Sequence, residues 1–365
     1  MLPYVELQLY YFLIAALPAL IVWFSSRSLA AKPWQRLFYA SFVIAAIELG
    51  LSILIDGHVG FRVVAFLLYG NCISVPLLAL GAAFKRRQNH RRQTLVISTL
   101  CALALTTVAY ALFVEPNRLQ ERHEIIIVSK WTNGETLRIA HISDLQTVGF
   151  TERESRALEM INSYEPDLII FTGDYIAGPF DNVKPAVDAA RSFLKALRPK
   201  IATIVLDGHS EPDAHRANIF AGLDLIHLRN QEQTFAMADG RKVHVLGLSA
   251  YHPHIPLLNR ERPKEDLFIV ASHVPDVTRG MTGKNVDLHL AGHTHGGQIV
   301  IPGFGALVTL SSLPRKYARG LHKHGDHWIN ICAGIGMEGN HAPRIRLFCP
   351  PEVTFIEMKA AEIPQ

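Results

Sequence analysis

Five short clusters hold the residues able to do chemistry: I-S-D-L-Q with Asp144 and Gln146, F-T-G-D with Gly173 and Asp174, V-L-D-G-H-S with Asp207 and His209, V-A-S-H-V-P with His273, and L-A-G-H-T-H-G-G-Q with His293 and His295. Each cluster ends a short apolar run, where a strand of an α/β sheet opens into its crevice. A single Asp or His in such a place is commonly a turn former or a helix cap. Five together supply carboxylate oxygens and imidazole nitrogens from separate strands, a donor set that suits Mn, Fe or Zn. A carboxylate can bridge two such ions, and a pair of ions can activate water at one while both clamp a phosphoryl oxygen.

The elements that must position these residues follow from the apolar pattern. Residues 137–145, 167–171 and 201–206 read as buried strands, and 152–164 and 183–197, with apolar residues three and four apart, as amphipathic helices. This alternation predicts parallel strands joined by crossover helices. Farther on the pattern is strand-rich: 235–238, a turn at Asp239-Gly240, then 242–249, 267–272, 286–290, 298–301, 328–332, 344–348 and 353–358. A second sheet packed on the first is expected, giving a four-layer α/β/β/α sandwich with mixed sheets over 135–360 and a short tail at 361–365.

Composition separates this domain from what precedes it. The 365 residues are 49% hydrophobic and 19% charged, which excludes a disordered or fibrous chain. Residues 1–114 hold 9 Lys+Arg against 3 Asp+Glu, and the remainder 27 against 29, so the overall +4 is no nucleic-acid footprint. Four nearly uncharged stretches, 7–26, 37–55, 63–84 and 93–114, are each long enough to span a bilayer and predict an N-terminal four-helix transmembrane module. Arg27, Lys32 and Arg36 after the first stretch, and Lys85, Arg86, Arg87, Arg91 and Arg92 after the third, place those loops in the cytoplasm. The domain after a polar connector, 115–134, is then expected on the outer face of the inner membrane, toward the periplasm or cell exterior. Glu48, inside the second stretch, could mark a functional polar site, but is read as a shifted helix boundary, a protonated carboxyl or a hydrogen bond to Asn71 or a Ser of a neighbouring helix. Sixteen of the 18 histidines lie in the second part. Of these, His252 and His254 read as solvated loop residues, and His322, His324 and His327 as a hairpin tip. Cys332 and Cys349 are either a disulfide or two buried thiols.

The ordered clusters resemble the calcineurin-like metallophosphoesterase family, whose signature runs D-x-H, G-D, G-N-H, H and G-H-x-H. The L-A-G-H-T-H-G-G-Q-I ending and R-L-F-C-P-P-E-V near the C-terminus are similar to the membrane-associated bacterial branch of that family, some members of which act on lipid-linked substrates such as UDP-diacylglucosamine. The resemblance covers roughly 136–358. It implies a pair of divalent ions, with Asp144 and His295 on the first, Asp174 bridging both, His273 and His293 on the second, and His209 near the scissile phosphate as proton donor to the leaving group. Two positions depart from the signature. Gln146 stands where the family has a second ligand histidine, and its amide oxygen is the weaker ligand for a transition metal. Gly208 replaces the ligating asparagine of G-N-H, leaving Asp207 as the candidate to fill the vacancy.

The expected function is a membrane-anchored, metal-dependent phosphoesterase that hydrolyses a phosphomonoester, phosphodiester or diphosphate, lipid-linked substrates included, by metal-activated water. The alternative is a degenerate domain that keeps the fold and serves as a binding or sensing module.

Overall fold

A computed structural model describes residues 67–85, 88, 91–131, 136–177, 183–237, 239–339 and 342–360. The chain divides into two compact units, Met1–Val114 with Gly339–Arg344, and Glu115–Glu338 with Ile345–Gln365.

In the first unit, the stretches expected to span at 7–26 and 37–55, together with Glu48, lie outside the described residues, as does the tail 361–365. The third stretch is described from Leu67, as a π-helix over Leu67–Ser74 running into an α-helix over Val75–Lys85. The fourth belongs to the helix Arg91–Asn117, which among the described residues is the one helix long and apolar enough to cross a membrane.

The second unit is built on two mixed six-stranded sheets. The first contains β1 (Gln120–Val128), β2 (Leu137–Ile142), β3 (Leu168–Phe171), β4 (Ala202–Val205), β5 (Ile226–His227) and β14 (Glu352–Ala360), in the order β1-β14-β2-β3-β4-β5. The second contains β6 (Gln231–Ala236), β7 (Lys242–Gly247), β8 (Leu267–Ala271), β9 (Leu288–Ala291), β12 (Gly320–His324) and β13 (His327–Ile331), in the order β12-β13-β9-β8-β7-β6. Strands β2 to β5 run parallel, as do β7, β8, β9 and β13. Between β9 and β12 a two-stranded hairpin, β10 (Val300–Ile301) with β11 (Gly305–Ala306), projects on its own.

Strand alternation builds the layers. Leu137, Ile139, Leu168, Ile170 and Ile204 of the first sheet meet Val243, Val245, Leu267, Ile269, Leu288 and Leu290 of the second in one buried layer. The intervening residues Ala140, Ile142, Ile169, Phe171 and Val205 point outward onto two helices, Glu152–Ser163 and Lys184–Ala196. The first helix begins at Thr151, whose backbone N–H donates to Glu154 Oε2 at 2.9 Å in a capping box. The second carries Pro185 in its first turn and buries Ala186, Ala189, Ala190, Phe193 and Leu194, the stripe expected of a core-facing helix.

Three features correct the sequence reading. The connector 115–134 contains β1, which pairs in parallel with β14 from Gln120–Glu352 to Val128–Ala360. Its first five residues, Q-E-R-H-E, are polar because β1 is an edge strand. Among the described residues the fourth layer holds no α-helix: the outer face of the second sheet, with Leu246, Phe268 and Val270, is covered by the 3-10 turns Ile255–Asn259 and Pro275–Gly280. Each turn has a proline at its first or second residue and is only five or six residues long, too short for an amphipathic α-helix to form. The run 344–348 makes one isolated bridge, Leu347 with Ile299, because Arg346 turns inward.

Candidate metal centre

All the expected residues arrive at one edge, where the parallel strands of both sheets end. Asp144 and Gln146 follow β2, Asp174 follows β3, His209 follows β4, His273 follows β8, and His293 and His295 follow β9. Within each sheet, backbone hydrogen bonds continue past the ends of neighbouring strands and fix these residues. Asp144 N–H donates to Gly173 O at 2.9 Å and Gln146 N–H to Asp174 O at 3.1 Å; Gly292 N–H donates to His273 O at 3.0 Å. The turns are tight: Asp144, Gln146, Asp174, His293 and His295 all have left-handed backbones, with φ between 32° and 70°. Such conformations cost about 1–3 kcal/mol each in non-glycine residues and persist where surrounding structure enforces them, often at functional sites.

The donors form two trios, each with its ligand atoms within 4.8 Å of one another: Asp144, Asp174 and His295, all buried, and His209, His273 and His293, which run from exposed to buried. Asp174 stands between the trios. Its Oδ1 is 3.4 Å from His273 Nε2, and its Oδ2 accepts from Gln146 Nε2 at 3.1 Å. Oδ1 also accepts from the backbone N–H of His209 at 2.5 Å and of Ser210 at 2.9 Å.

The buried nitrogens fit a metal. His295 is 2% exposed, and neither of its ring nitrogens has a hydrogen-bond partner. Its Nε2 lies 3.5 Å from Asp144 Oδ1, too far for a good hydrogen bond but close to the edge of about 3.4 Å expected between donors of a tetrahedral shell with ~2.1 Å ligand distances. His273 Nδ1–H donates to Thr172 O at 2.8 Å, which turns Nε2 toward the site, the arrangement usual for an imidazole ligand. His293 Nδ1 lies 3.2 Å from that Nε2.

Charge is distributed accordingly. Burial pushes the Asp144 carboxyl up, and the Asp174 charge adds to this against the pull of His273. Burial opposes ionisation of Asp174 too, but the His273 imidazole, close by, outweighs it and holds Asp174 well below the carboxylate range. His273 is raised in turn by Asp174 against its own burial, whereas burial and the His273 charge push His293 down to about 4. Burial, followed by the nearby Arg346 guanidinium, keeps His295 neutral and therefore able to ligate.

Several supporting residues were not singled out from the sequence. Arg346, fully buried, donates to the carbonyls of Ala333 at 2.7 Å, Gly336 at 2.6 Å and His295 at 3.3 Å, and so pins the loops behind the site. Glu338 brings Oε2 to 3.8 Å from His295 Nε2 and 3.5 Å from Gln146 Nε2. Its signal was present: it lies in the loop after β13, which is parallel to β9 and ends at the same edge. Tyr251 packs edge-on against His209, ring centroids 4.9 Å apart. Asp207, by contrast, does not fill the vacancy at Gly208. It turns away, with Oδ1 3.0 Å from Arg216 Nε and 2.8 Å from His227 Nε2, and Oδ2 3.0 Å from Arg229 Nε. His252 and His254 are exposed, His322 to His327 form the β12–β13 hairpin, and Cys332 and Cys349 are separate buried thiols.

Comparison with known proteins agrees with this constellation. Residues 137–297 match the family model described as calcineurin-like phosphoesterase. The chain is 30% identical over 288 residues to the metallophosphoesterase YkuE of Bacillus subtilis (strain 168), covering 74% of this chain and 98% of that one. The chain belongs to the calcineurin-like phosphoesterase family. It is accordingly a metal-dependent phosphoric ester hydrolase of the α/β metallophosphoesterase fold. Phosphodiesterase YaeI of Escherichia coli (strain K12) is 27% identical, with 62% of this chain and 83% of that one covered. UDP-2,3-diacylglucosamine pyrophosphatase LpxG of Chlamydia muridarum (strain MoPn / Nigg) is 24% identical, with 71% and 95% covered. Both family departures, Gln146 and Gly208, fall inside the matched region.

Proposed function

We propose that this chain hydrolyses a lipid-linked phosphodiester or diphosphate at a membrane, with two divalent ions held by its paired donor trios. The observation that carries the reading is the placement of Asp174, which belongs to the first trio and brings Oδ1 to 3.4 Å from His273 Nε2 of the second. Asp144 and His295 would hold the first ion with Gln146 alongside, His273 and His293 the second, and Asp174 both. Bound there, Mn, Fe or Zn would supply activated water and neutralise charge on the phosphoryl group. His209, exposed at the open side of the second trio, is the proton donor to the departing oxygen. Its pKa is lowered by the partial burial of its ring and by the His273 charge, which makes its protonated form the stronger acid.

Two features support a lipid-linked substrate. The helix Arg91–Asn117 can anchor the chain, as part of the four-helix module that the sequence predicts in the inner membrane, with the catalytic unit toward the periplasm or exterior. The segment that reaches His293 through the Leu310 backbone carries exposed apolar residues, Phe304, Leu307, Val308 and Leu310, each 43–53% exposed. Exposed apolar residues in such a group suit an acyl chain better than water. LpxG, by its name, acts on a diacylated nucleotide-linked sugar, which is the substrate class proposed here. The alternative of a degenerate binding module draws on Gln146 and Gly208, and the two intact trios weigh against it.

The test is the metal content of the full chain in nanodiscs, with hydrolysis of a bis-aryl phosphodiester and of a lipid-linked diphosphate in added manganese. About two ions per chain and turnover of both substrates are expected, with ions and activity lost together in Asp174→Ala. A folded wild-type chain with neither ions nor turnover would sink the proposal, and turnover retained in Asp174→Ala would sink the mechanism.

A further inference from the structure

The substitution of glutamine at 146 leaves the first trio, Asp144, Asp174 and His295, without the imidazole that the family signature would add. The loop after β13 reaches this trio from the second sheet. Ile335 N–H donates to Ser143 O at 3.1 Å and Gly336 N–H to Asp144 O at 2.7 Å, which locks the loop against the turn that carries Asp144 and Gln146. This approach requires glycine, because a Cβ on residue 336 would lie 2.1 Å from Leu145 O. Two residues later the backbone N–H of Glu338 donates to Gln298 Oε1 at 2.5 Å, and the side chain turns into the site. Its Oε2 lies 3.8 Å from His295 Nε2, a buried nitrogen with no hydrogen-bond partner, while Asp144 Oδ1 lies 3.5 Å from the same nitrogen. Donors so spaced around one nitrogen are too far apart to bond each other well and suitably placed to share an ion between them.

We propose that Glu338 is a ligand of the first ion and replaces the missing histidine with a carboxylate oxygen. The assignment rests on the two-ion reading above and deepens it. Gln146 is then a positioning residue: its Nε2 donates to Asp174 Oδ2 at 3.1 Å and to Glu338 Oε2 at 3.5 Å, and so holds two ligand carboxylates at a fixed spacing. The first shell becomes three carboxylates and one imidazole. Oxygen-rich donors of this kind favour manganese over zinc, so the substitution retunes the metal preference of the site.

The experiment uses the full chain in nanodiscs, stripped of metal and titrated with manganese against a competing chelator, which counts the ions and gives a dissociation constant for each. In Glu338→Gln, one ion is expected to weaken at least about 100-fold, beyond the upper end of outer-shell effects, while the other changes by less than about threefold. Adding Gln146→His to Glu338→Gln is expected to restore the weakened ion to within about tenfold and to shift preference toward zinc. Both ions within about threefold of wild type in Glu338→Gln would overturn the assignment. If Glu338→Gln lowers the melting temperature of the metal-free chain, the double variant decides: recovered affinity supports a ligand role, and no recovery overturns it. A wild-type chain that binds no manganese overturns the two-ion reading, and this assignment with it.

Discussion

His141 Nδ1 accepts from Asn330 Nδ2 at 2.7 Å, a hydrogen bond that joins β2 of the first sheet to β13 of the second through the buried layer between them. The other ring nitrogen faces Thr172 Oγ1 at 3.2 Å, so the imidazole is neutral with its proton on Nε2. Burial pushes its pKa down to about 3. Because the folded value lies below the unfolded one, the stability contributed by the neutral ring is fully present above about pH 6.5 and is withdrawn as pH falls from there toward 3. The expected loss is about 1.4 kcal/mol per pH unit for this group. Unfolding curves of the chain between pH 7.5 and 4.5 should be shallower by that amount in His141→Gln than in wild type, and equal slopes would count against a neutral His141.

The buried cluster around Asp207 gives a second test, which separates structure from catalysis. Asp207 is fully buried, and of the two guanidinium groups 3.0 Å from it that of Arg216, whose side chain is 3% exposed, is the buried one. Burial would raise the Asp207 carboxyl, but the His227 hydrogen bond and the Arg216 and Arg229 charges hold it low. Removing one member of a buried pair strands the other, at a cost of about 3–5 kcal/mol. Asp207→Ala should therefore lower stability by roughly that amount while the metal content of the folded fraction stays at the wild-type level. Loss of an ion without loss of stability would return Asp207 to the metal site.

Much of this arrangement was legible in the sequence, because short apolar runs ending in Asp or His mark parallel strands and the edge where they open. What escaped did so for physical reasons. The strand β1 opens with a run of five polar residues on an edge and looks like a connector. The direction of Asp207 depends on Arg216 and Arg229, 9 and 22 residues away, and neither belongs to a strand-end motif. Glu338 lies beyond Gly334 and Gly336 rather than at the strand end itself, and the backbone bonds of Ile335 and Gly336 that hold its loop against Ser143 and Asp144 leave no mark in the sequence.

Gly208 is where the departure from the family signature meets hard geometry. A Cβ built on residue 208 would lie 2.1 Å from both the backbone nitrogen and Oδ1 of Asp174. An asparagine here must displace the Asp174 carboxylate. Gly208→Asn is therefore expected to lower stability by about 1–3 kcal/mol, the usual cost of overpacking, and to weaken metal binding as well as turnover. Higher turnover in Gly208→Asn would mean that the glycine is a lesion and that the ancestral shell can still be rebuilt.

The apolar rim offers a test of substrate class that leaves the metal site untouched. Phe304 is 53% exposed at the turn between β10 and β11, and the Arg315 guanidinium lies 4.0 Å from its ring centroid, so an apolar surface and a cation occur side by side. That pairing suits the boundary between acyl chains and an anionic headgroup. Burying a phenylalanine is worth about 1.5–3 kcal/mol, so losing it from a lipid contact should raise KM for a vesicle-borne, lipid-linked diphosphate by at least about tenfold. Phe304→Ser should leave hydrolysis of a soluble bis-aryl phosphodiester within about twofold of wild type, because the side chain belongs to the hairpin and not to either donor trio. Equal losses on both substrates would mean that the hairpin shapes the site itself, and no loss on either would leave the apolar rim without a part in binding lipid.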